Sequence, residues 1–363
     1  MTLNAIDLFS GAGGLSLGLS RAGIQIVIAN EIEADFAKTH EINHPNTRMI
    51  NRDICDIDFA SELVTTKLSS KIDLVCGGPP CQGFSTVGKK NFTDPRNSLF
   101  AQFLRAVDAI RPRFVLFENV SGFKKLYGGA IYETLLEELT LREFEVDSAV
   151  LNARSFGLPQ SRERTIVLGW LRGEQPVALP TPTHGLPDLL GTLKPFLSLE
   201  EAISDLPPLQ AGESKHQYFS DPKNSFQAEM RASETFLAEH NCANYGKRMR
   251  EILSLVPHGG SVMDLPIHLR PKSFFKNTYA RLLPSTPSPT ITRNFGTPSS
   301  SRCIHPYQDR ALSTREGARL QGFPDSYKFH GSKSSKNLQI GNAVPPIFGE
   351  ILAKQFLRSV HRS

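Results

Sequence analysis

The segment Ile72-Asp73-Leu74-Val75-Cys76-Gly77-Gly78-Pro79-Pro80-Cys81-Gln82-Gly83-Phe84-Ser85 begins as an apolar, β-branched run and breaks on two glycines and two prolines. The run reads as a strand buried on both faces, as in parallel sheets. The glycines end it, and the prolines stiffen the exit, because each fixes its own φ and restricts the residue before it. Cys81 is thereby placed on a rigid turn at the C-terminal end of a parallel strand, where open α/β sheets bind ligands. A lone cysteine is more often a small buried hydrophobe than a reactive group, so its meaning depends on the rest of the chain.

Working outward, strands and helices alternate. Ala5–Phe9 reads as a strand, Ser10-Gly11-Ala12-Gly13-Gly14 as a tight turn, and Leu15 to Arg21 as a helix. Ile24–Ala29 is a second strand ending at Asn30-Glu31, Asp35–Asn43 a helix, and Thr47–Ile50 a third strand ending near Asp53. Beyond Cys81, Ser98–Ile110 is helical, and Phe114–Phe117 is a strand ending at Glu118-Asn119. A helix around Ile131–Leu141 and strands near Phe144–Leu151 and Thr165–Leu171 follow. The pattern predicts an α/β fold with a doubly wound, Rossmann-like, mainly parallel sheet.

A glycine turn after the first strand, with an acid closing the second, is the nucleotide-binding layout of such sheets. Glu31 stands about 20 residues past the glycines, suited to accept from ribose hydroxyls. The dinucleotide fingerprint is not met: Gly11 and Gly13 fit, but Ser16 takes the third glycine's place. A pyrophosphate needs an anion cradle at the helix start, whereas S-adenosylmethionine has no phosphate and needs only close backbone approach. Asp53 can accept from an adenine amino group. The plainer readings are an ordinary tight turn and solvated acids at strand ends.

The chain of 363 residues, 39% hydrophobic and 21% charged, has material for two domains, or for one large domain with an insertion. No run is long enough to span a bilayer, and Met1-Thr2-Leu3-Asn4 leads straight into a strand with no visible signal peptide. Five cysteines without CxxC spacing point to a reducing compartment, with no disulfide framework and no metal site. A net charge of +5 suits a nucleic-acid partner without requiring one. From about Gly173 the alternation is lost, and 16 of the 25 prolines fall between Gly173 and Asp309. This reads as a second, smaller, irregular domain. In Arg270–Arg281 its basic residues interleave with aromatics. Helical spacing returns from Arg310, and a last helix runs from about Pro345 to Leu357, opened by prolines.

With these motifs in hand, the chain resembles the DNA (cytosine-5)-methyltransferases. The resemblance rests on six ordered signatures: Asp7-Leu-Phe9-Ser-Gly11-Ala-Gly13-Gly14, Pro80-Cys81-Gln82, Glu118-Asn119-Val120, Gln160-Ser-Arg162-Glu-Arg164, Arg315 to Pro324, and Gln339-Ile-Gly341-Asn342-Ala-Val344-Pro-Pro. Each is weakly specific alone; in this order and spacing they are very specific. The resemblance implies a catalytic and donor-binding domain over 1–172 and a variable target-recognition domain over 173–309. A shared-motif helix and connection at 310–338 and a segment 339–363 returning to the first domain complete the expected division. Besides Gly11, Gly13, Glu31 and Asp53, the implied donor pocket takes in Phe9, Gly14, Leu15, Ile54, Pro79, Leu99, Asn342 and Val344. Ile32 stands where relatives often carry an aromatic, so an aliphatic group would pack one adenine face.

The implied chemistry needs these residue types. C5 of cytosine is a poor nucleophile, and a thiolate adding to C6 makes C5 enamine-like; Cys81 is suited to this. Negative charge then moves towards N3 and O2. Glu118 can hydrogen-bond or protonate N3, Asn119 can fix the loop, and Arg164, with Arg162 beside it, can hold O2. A base in a duplex must be flipped out to be reached. Ser85–Asn97, with Lys89, Lys90 and Arg96, suits a lid on phosphates, and Gln82 and Ser85 join the DNA contacts. Arg270, Lys272, Arg293 and Arg302 are candidate DNA readers. The implied protein is a monomer acting on duplex DNA in a bacterial cytoplasm, at the nucleoid, and possible to pair with a restriction endonuclease. Three other readings are the same chemistry on tRNA, a non-catalytic DNA-binding regulator, and a nicotinamide dehydrogenase. The long proline-rich region, the intact Pro-Cys-Gln and Glu-Asn-Val motifs, and Ser16 argue against them in turn.

Overall fold

A computed structural model describes residues 2–65, 71–80, 99–187, 191–300 and 302–361. The chain forms two compact units. Unit 1 comprises Met1–Asn152, Glu163–Thr181 and Val344–Ser363; unit 2 comprises Ala153–Arg162 and Pro182–Ala343. The segment 310–338, set apart in the sequence-based division, belongs to unit 2, and the return to unit 1 begins at Val344.

Unit 1 is built on seven strands: β1 (Asn4–Leu8), β2 (Gln25–Asn30), β3 (Arg48–Ile50), β4 (Leu74–Gly77), β5 (Phe114–Val120), β6 (Phe144–Asn152) and β7 (Glu163–Leu171). Their order in the sheet is β3-β2-β1-β4-β5-β7-β6. The first five run parallel, and β7 is antiparallel to both β5 and β6. This is the expected mainly parallel, doubly wound sheet. β1 and β4 are buried along their whole length; β4 accordingly runs apolar rather than alternating, while β1 buries Asn4 and Asp7 among its apolar residues. The helices are α1 (Gly14–Arg21), α2 (Ala34–Asn43), α3 (Phe59–Thr65), α4 (Leu99–Ile110) and α5 (Ala130–Leu141). One apolar cluster joins Ile6, Val75, Val115 and Val167 of the sheet to Phe103 and Val107 of α4 and Leu135 of α5.

One difference matters for the site. β5 does not stop at Phe117 but continues through Glu118, Asn119 and Val120. The reason is its antiparallel neighbour: Glu118 pairs with Ile166, Asn119 with Thr165 and Val120 with Arg164. The acid and the amide are therefore held by a strand ladder.

Unit 2 holds α6 (Leu199–Ile203), α7 (Ser225–Arg231), α8 (Lys247–Leu255), α9 (Thr314–Leu320) and α10 (Lys333–Asn342). A buried polar lattice around α9 organises it. Ser313 and Glu316 cap α9 reciprocally, and Glu316 takes both Nη atoms of Arg310, at 2.7 and 2.8 Å. Arg315 donates to the carbonyls of Ala238, Pro324 and Tyr327.

The chain ends in unit 1 as α11 (Pro346–His361), packed on α1 through glycines. A Cβ at Gly18 would overlap the Pro346 carbonyl oxygen and come within 2.6 Å of Glu350 N and 2.7 Å of Gly349 Cα. Helix backbones that close cannot open for one methyl group. Gly18→Ala is expected to destabilise the protein by about 2–3 kcal/mol, the usual cost of forced overpacking, despite alanine's better helix propensity. Chemical denaturation checks this against Gly122→Ala, whose added Cβ meets nothing within 4 Å.

Candidate active site

The turn after β1 carries three left-handed residues: Phe9 (φ 56°), Gly11 (φ 56°) and Gly13 (φ 87°). Gly13 is the residue before α1, so the helix opens without a side-chain cap. Ser10 anchors the turn to the end of β2 by donating its N–H to the Asn30 carbonyl at 2.9 Å. Glu31 closes it: one carboxylate oxygen accepts from Gly11 N at 2.9 Å and the other from Glu33 N at 2.8 Å. Burial raises the pKa of Glu31, and those two backbone donors oppose the rise. A Cβ on Gly11 would meet nothing within 4 Å, so the backbone there is open to a ligand. Ile32 beside the acid is 58% exposed, an apolar face in solvent.

Two asparagines at the ends of β2 and β3 brace this region, and neither was among the site residues expected from sequence. Asn30 donates to the carbonyls of Ile50 and Arg52, and Asn51 to those of Glu31 and Ile32, tying the ends of β2 and β3 together. An asparagine closing a buried parallel strand was the available signal. Other expected donor-pocket residues take less direct places. Leu15 and Ile54 are buried, Ile54 within the main apolar cluster, and Leu99 packs against that cluster from the start of α4. Asp53 is exposed, and one of its oxygens caps Cys55 N at 2.9 Å. Asn342 ends α10 in unit 2, exposed, and Val344 opens the last segment of unit 1, half-buried.

The second constellation surrounds the turn that leads to Cys81. Cys81 itself lies outside the described residues, as do Gln82, Ser85, Lys89, Lys90 and Arg96. Up to Pro80 the path is described. Asn119 donates its side-chain amide to the Pro79 carbonyl at 3.0 Å and accepts from Val120 N at 2.9 Å. A Cβ at Gly78 would sit 2.8 Å from Glu118 Oε2, so only glycine lets the carboxylate lie against this turn. Arg164 Nε pairs with Glu118 Oε1 at 2.8 Å, both side chains being nearly buried. The ladder explains the pairing: Val120 opposes Arg164, and Glu118 is its diagonal neighbour on the same face. Burial lowers the pKa of Arg164, and the Glu118 charge opposes that.

Arg162 departs from expectation. It is 1% exposed and donates to the carbonyls of Ile291, Gly341 and Ala343, all within unit 2. The chain crosses from unit 2 to unit 1 between residues 162 and 163, so the two arginines of this motif belong to different units. Arg162 is a clamp on backbone carbonyls. Arg270 is also bonded to backbone. Its guanidinium serves the carbonyls of Leu265 and Met263 in its own loop. Arg281, closing the same basic stretch, is buried against the carbonyls of Val256, Leu253, His305 and Gln308. Lys272, Arg293 and Arg302 are exposed, and so are Ile267 and Phe275, at 83% and 79%.

Among the described residues no cluster of three or more His, Cys, Asp or Glu could hold a metal, and no helix is long and apolar enough to cross a membrane.

Comparison with known proteins adds to this geometry. A model of the C-5 cytosine-specific DNA methylase family matches residues 3–358. The type II methyltransferase M.DdeI of Desulfomicrobium norvegicum is 34% identical, over 97% of this chain and 88% of its own. The type II methyltransferase M1.HphI of Haemophilus parahaemolyticus is 34% identical, over 99% of this chain and 87% of its own. A solved E. coli structure, of a prophage-encoded protein assigned as a DNA modification methyltransferase, superposes with a TM-score of 0.80 at 28% identity. The match covers 99% of this chain and 100% of that one.

Proposed function

The chain belongs to the C-5 cytosine-specific DNA methylase family, and from that membership we propose that it methylates cytosine in one short duplex sequence, with S-adenosylmethionine as donor and Cys81 as nucleophile. The observation that carries this reading is the Glu118 carboxylate, paired with Arg164 and lying against Gly78, on the turn that runs into Cys81. The donor turn fits a nucleoside without phosphate: open backbone at Gly11, the Glu31 carboxylate for ribose hydroxyls, and the exposed Ile32 face for adenine. S-adenosylmethionine, when bound there, supplies an electrophilic methyl group.

Cys81 adds through sulfur to C6 of a flipped cytosine, forming a C6–S bond and sending the π-electron pair towards N3 and O2. Glu118 in its protonated form donates to N3 as that charge arrives, and Arg164 holds the carboxyl in place and pairs the carboxylate left if the proton passes to N3. Asn119 holds the Pro79 carbonyl, and so the geometry of the turn, without touching the base. After C5 is alkylated, loss of its proton and departure of the Cys81 sulfur restore the ring. A companion endonuclease cutting the same sequence fits the type II relatives. A bacterial cytoplasm is the compartment this reading requires.

Bisulfite sequencing of DNA from a host expressing the chain tests the reading. Protection of one cytosine within one short motif is expected, and protection nowhere overturns it. A duplex should be methylated and tRNA should not.

Sequence reading is proposed for the exposed basic residues of unit 2. Alanine at Lys272, Arg293 or Arg302 should do one of two things. At a base contact it costs about 1–3 kcal/mol and relaxes one position of the site. At a phosphate contact it weakens all sequences alike and lowers the salt slope by about one. Methylation of the motif and its single-base variants at two salt concentrations separates the two outcomes. If none of the three moves either quantity, the reading surface lies elsewhere.

A further inference from the structure

Beneath the glycine turn, unit 1 buries four polar side chains that the reaction above does not use: Asp7 on β1, Ser16 on α1, His40 on α2 and His44 just beyond it. Buried polar groups persist where hydrogen bonds satisfy them, and these form a chain. Ser16 Oγ donates to Asp7 Oδ2 at 2.6 Å, and His40 Nε2 lies 3.0 Å from Ser16 Oγ. The His40 and His44 rings stand 4.4 Å apart. His44 Nε2 lies 3.2 Å from the Gly13 carbonyl, the oxygen that also accepts the first helical bond of α1 from Leu17 N.

We propose that Asp7, Ser16 and His40, linked by hydrogen bonds, and His44, in ring contact with His40 and bonded to the Gly13 carbonyl, form a buried relay that fixes the glycine turn in the shape that receives the methyl donor, which makes them positioning residues for donor binding; the proposal rests on the S-adenosylmethionine reading above.

The bond directions are set by chemistry. A carbonyl can only accept, so His44 donates from Nε2–H. Ser16 spends its single proton on Asp7, so it accepts from His40 Nε2–H, which leaves His40 Nδ1 as a bare acceptor. Nδ1 has no hydrogen-bond partner among the described residues, and a lone buried acceptor there is less costly than a lone buried N–H. Burial keeps both imidazoles neutral, pulling His44 down to about 4 and His40 well below its ordinary value. Asp7 is pushed up to about 7 by burial, with hydrogen bonds from Ser16 and Cys76 opposing and the Glu31 charge adding to the rise. The titratable groups facing the relay are thus Cys76 from β4, Glu31 from beyond β2, and the two histidines. Cys76 stays a thiol, its pKa raised by burial and by the Asp7 charge and hydrogen bond beside it. The Ser16–Asp7 bond is charge-assisted only while Asp7 is ionised; a neutral bond is about half as strong. The relay therefore holds most tightly above the Asp7 pKa and loosens as pH falls through it.

Calorimetric titration of S-adenosylmethionine into the full chain, without DNA, tests this between about pH 6 and about pH 8.5. The native chain should bind several-fold tighter at the upper end. His44→Ala should loosen binding about tenfold, since the Gly13 carbonyl loses its buried donor. His44→Gln should recover most of that, because its amide can donate to the same oxygen. Asp7→Asn should flatten the pH dependence. Affinity for a DNA duplex, followed by anisotropy, should not move in the His44 variants. Native binding with an unaltered His44→Ala affinity overturns the relay alone. Absence of any donor binding by the native chain overturns the donor reading and the relay with it.

Discussion

Cys81→Ala is expected to abolish methyl transfer, by at least about 10⁴-fold, the usual scale for removing a covalent nucleophile. Binding of the methyl donor should survive, because the cysteine acts on the base. Without a sulfur adding at C6, C5 keeps its low nucleophilicity whatever else the site provides. The surroundings are built for such a group: Asn119 holds the Pro79 carbonyl, Glu118 lies against Gly78, and Arg164 fixes Glu118. DNA with 5-fluorocytosine at the target gives an independent check. Fluorine cannot leave as a cation, so the reaction stalls after methyl transfer with Cys81 still bonded to C6. Intact-mass measurement should show one stable protein–DNA adduct with the native chain and none with Cys81→Ala. Full turnover by the alanine variant, or no adduct under conditions that methylate ordinary DNA, removes Cys81 from the mechanism.

The fold of unit 1 was legible because its strands are buried on both faces and broken by glycine and proline. β1, β2 and β4 fall within a residue or two of the stretches read from the sequence, with Glu31 just past the end of β2 and Pro79-Pro80 just past the end of β4. What periodicity cannot carry is pairing between distant segments. β5 runs on to Val120 because β7 pairs with it antiparallel, and nothing between Phe114 and Val120 announces that partner. The same ladder sets Glu118 beside Arg164, a contact across 46 residues of sequence.

The two arginines of Gln160-Ser-Arg162-Glu-Arg164 show where motif reading stops. They are two apart, so an unbroken strand would turn them to one face. The chain instead passes between units after Arg162, whose donors go to three backbone carbonyls. Arg270 and Arg281 are also bonded to backbone carbonyls. In an irregular domain with few strands to satisfy its carbonyls, guanidinium groups take over that task. Their positive charge is then tied up at least partly in internal hydrogen bonding, which a sequence pattern does not show.

Arg319 carries this principle furthest, and Arg319→Met is expected to destabilise the protein by about 3–5 kcal/mol or more, the cost of leaving buried charge without its partner. Arg319 is fully buried between two carboxylates. It bonds Asp325 through Nε at 2.9 Å and Nη2 at 2.6 Å, and Asp205 through both Nη atoms. It also donates to the Ala202 carbonyl, which ties α9 to α6. Without it, Asp205 keeps Arg231 at 2.8 Å, while Asp325 keeps the Tyr218 hydroxyl at 2.8 Å and Arg315 only at 3.9 Å. Two carboxylates would then share cations too few or too distant. The pH dependence carries a definite sign. In the native chain burial pushes the Asp325 pKa up, but Arg319 and its neighbours outweigh that and hold it below the ordinary value. Its contribution to stability is present above the unfolded pKa of about 4 and is lost as pH falls through the folded one. With Arg319 gone, burial wins, the folded pKa rises, and the ionised acid becomes a penalty. The deficit of Arg319→Met should therefore be largest at neutral pH and shrink in mild acid, where the native chain gains no such relief. Denaturant midpoints across that range measure it. Adding Asp325→Asn should return part of the loss, since the uncompensated charge and not the missing volume is the cause. A single variant within about 1 kcal/mol of native at neutral pH, less than removal of a buried partner costs, would show that the lattice under α9 is ornamental rather than structural.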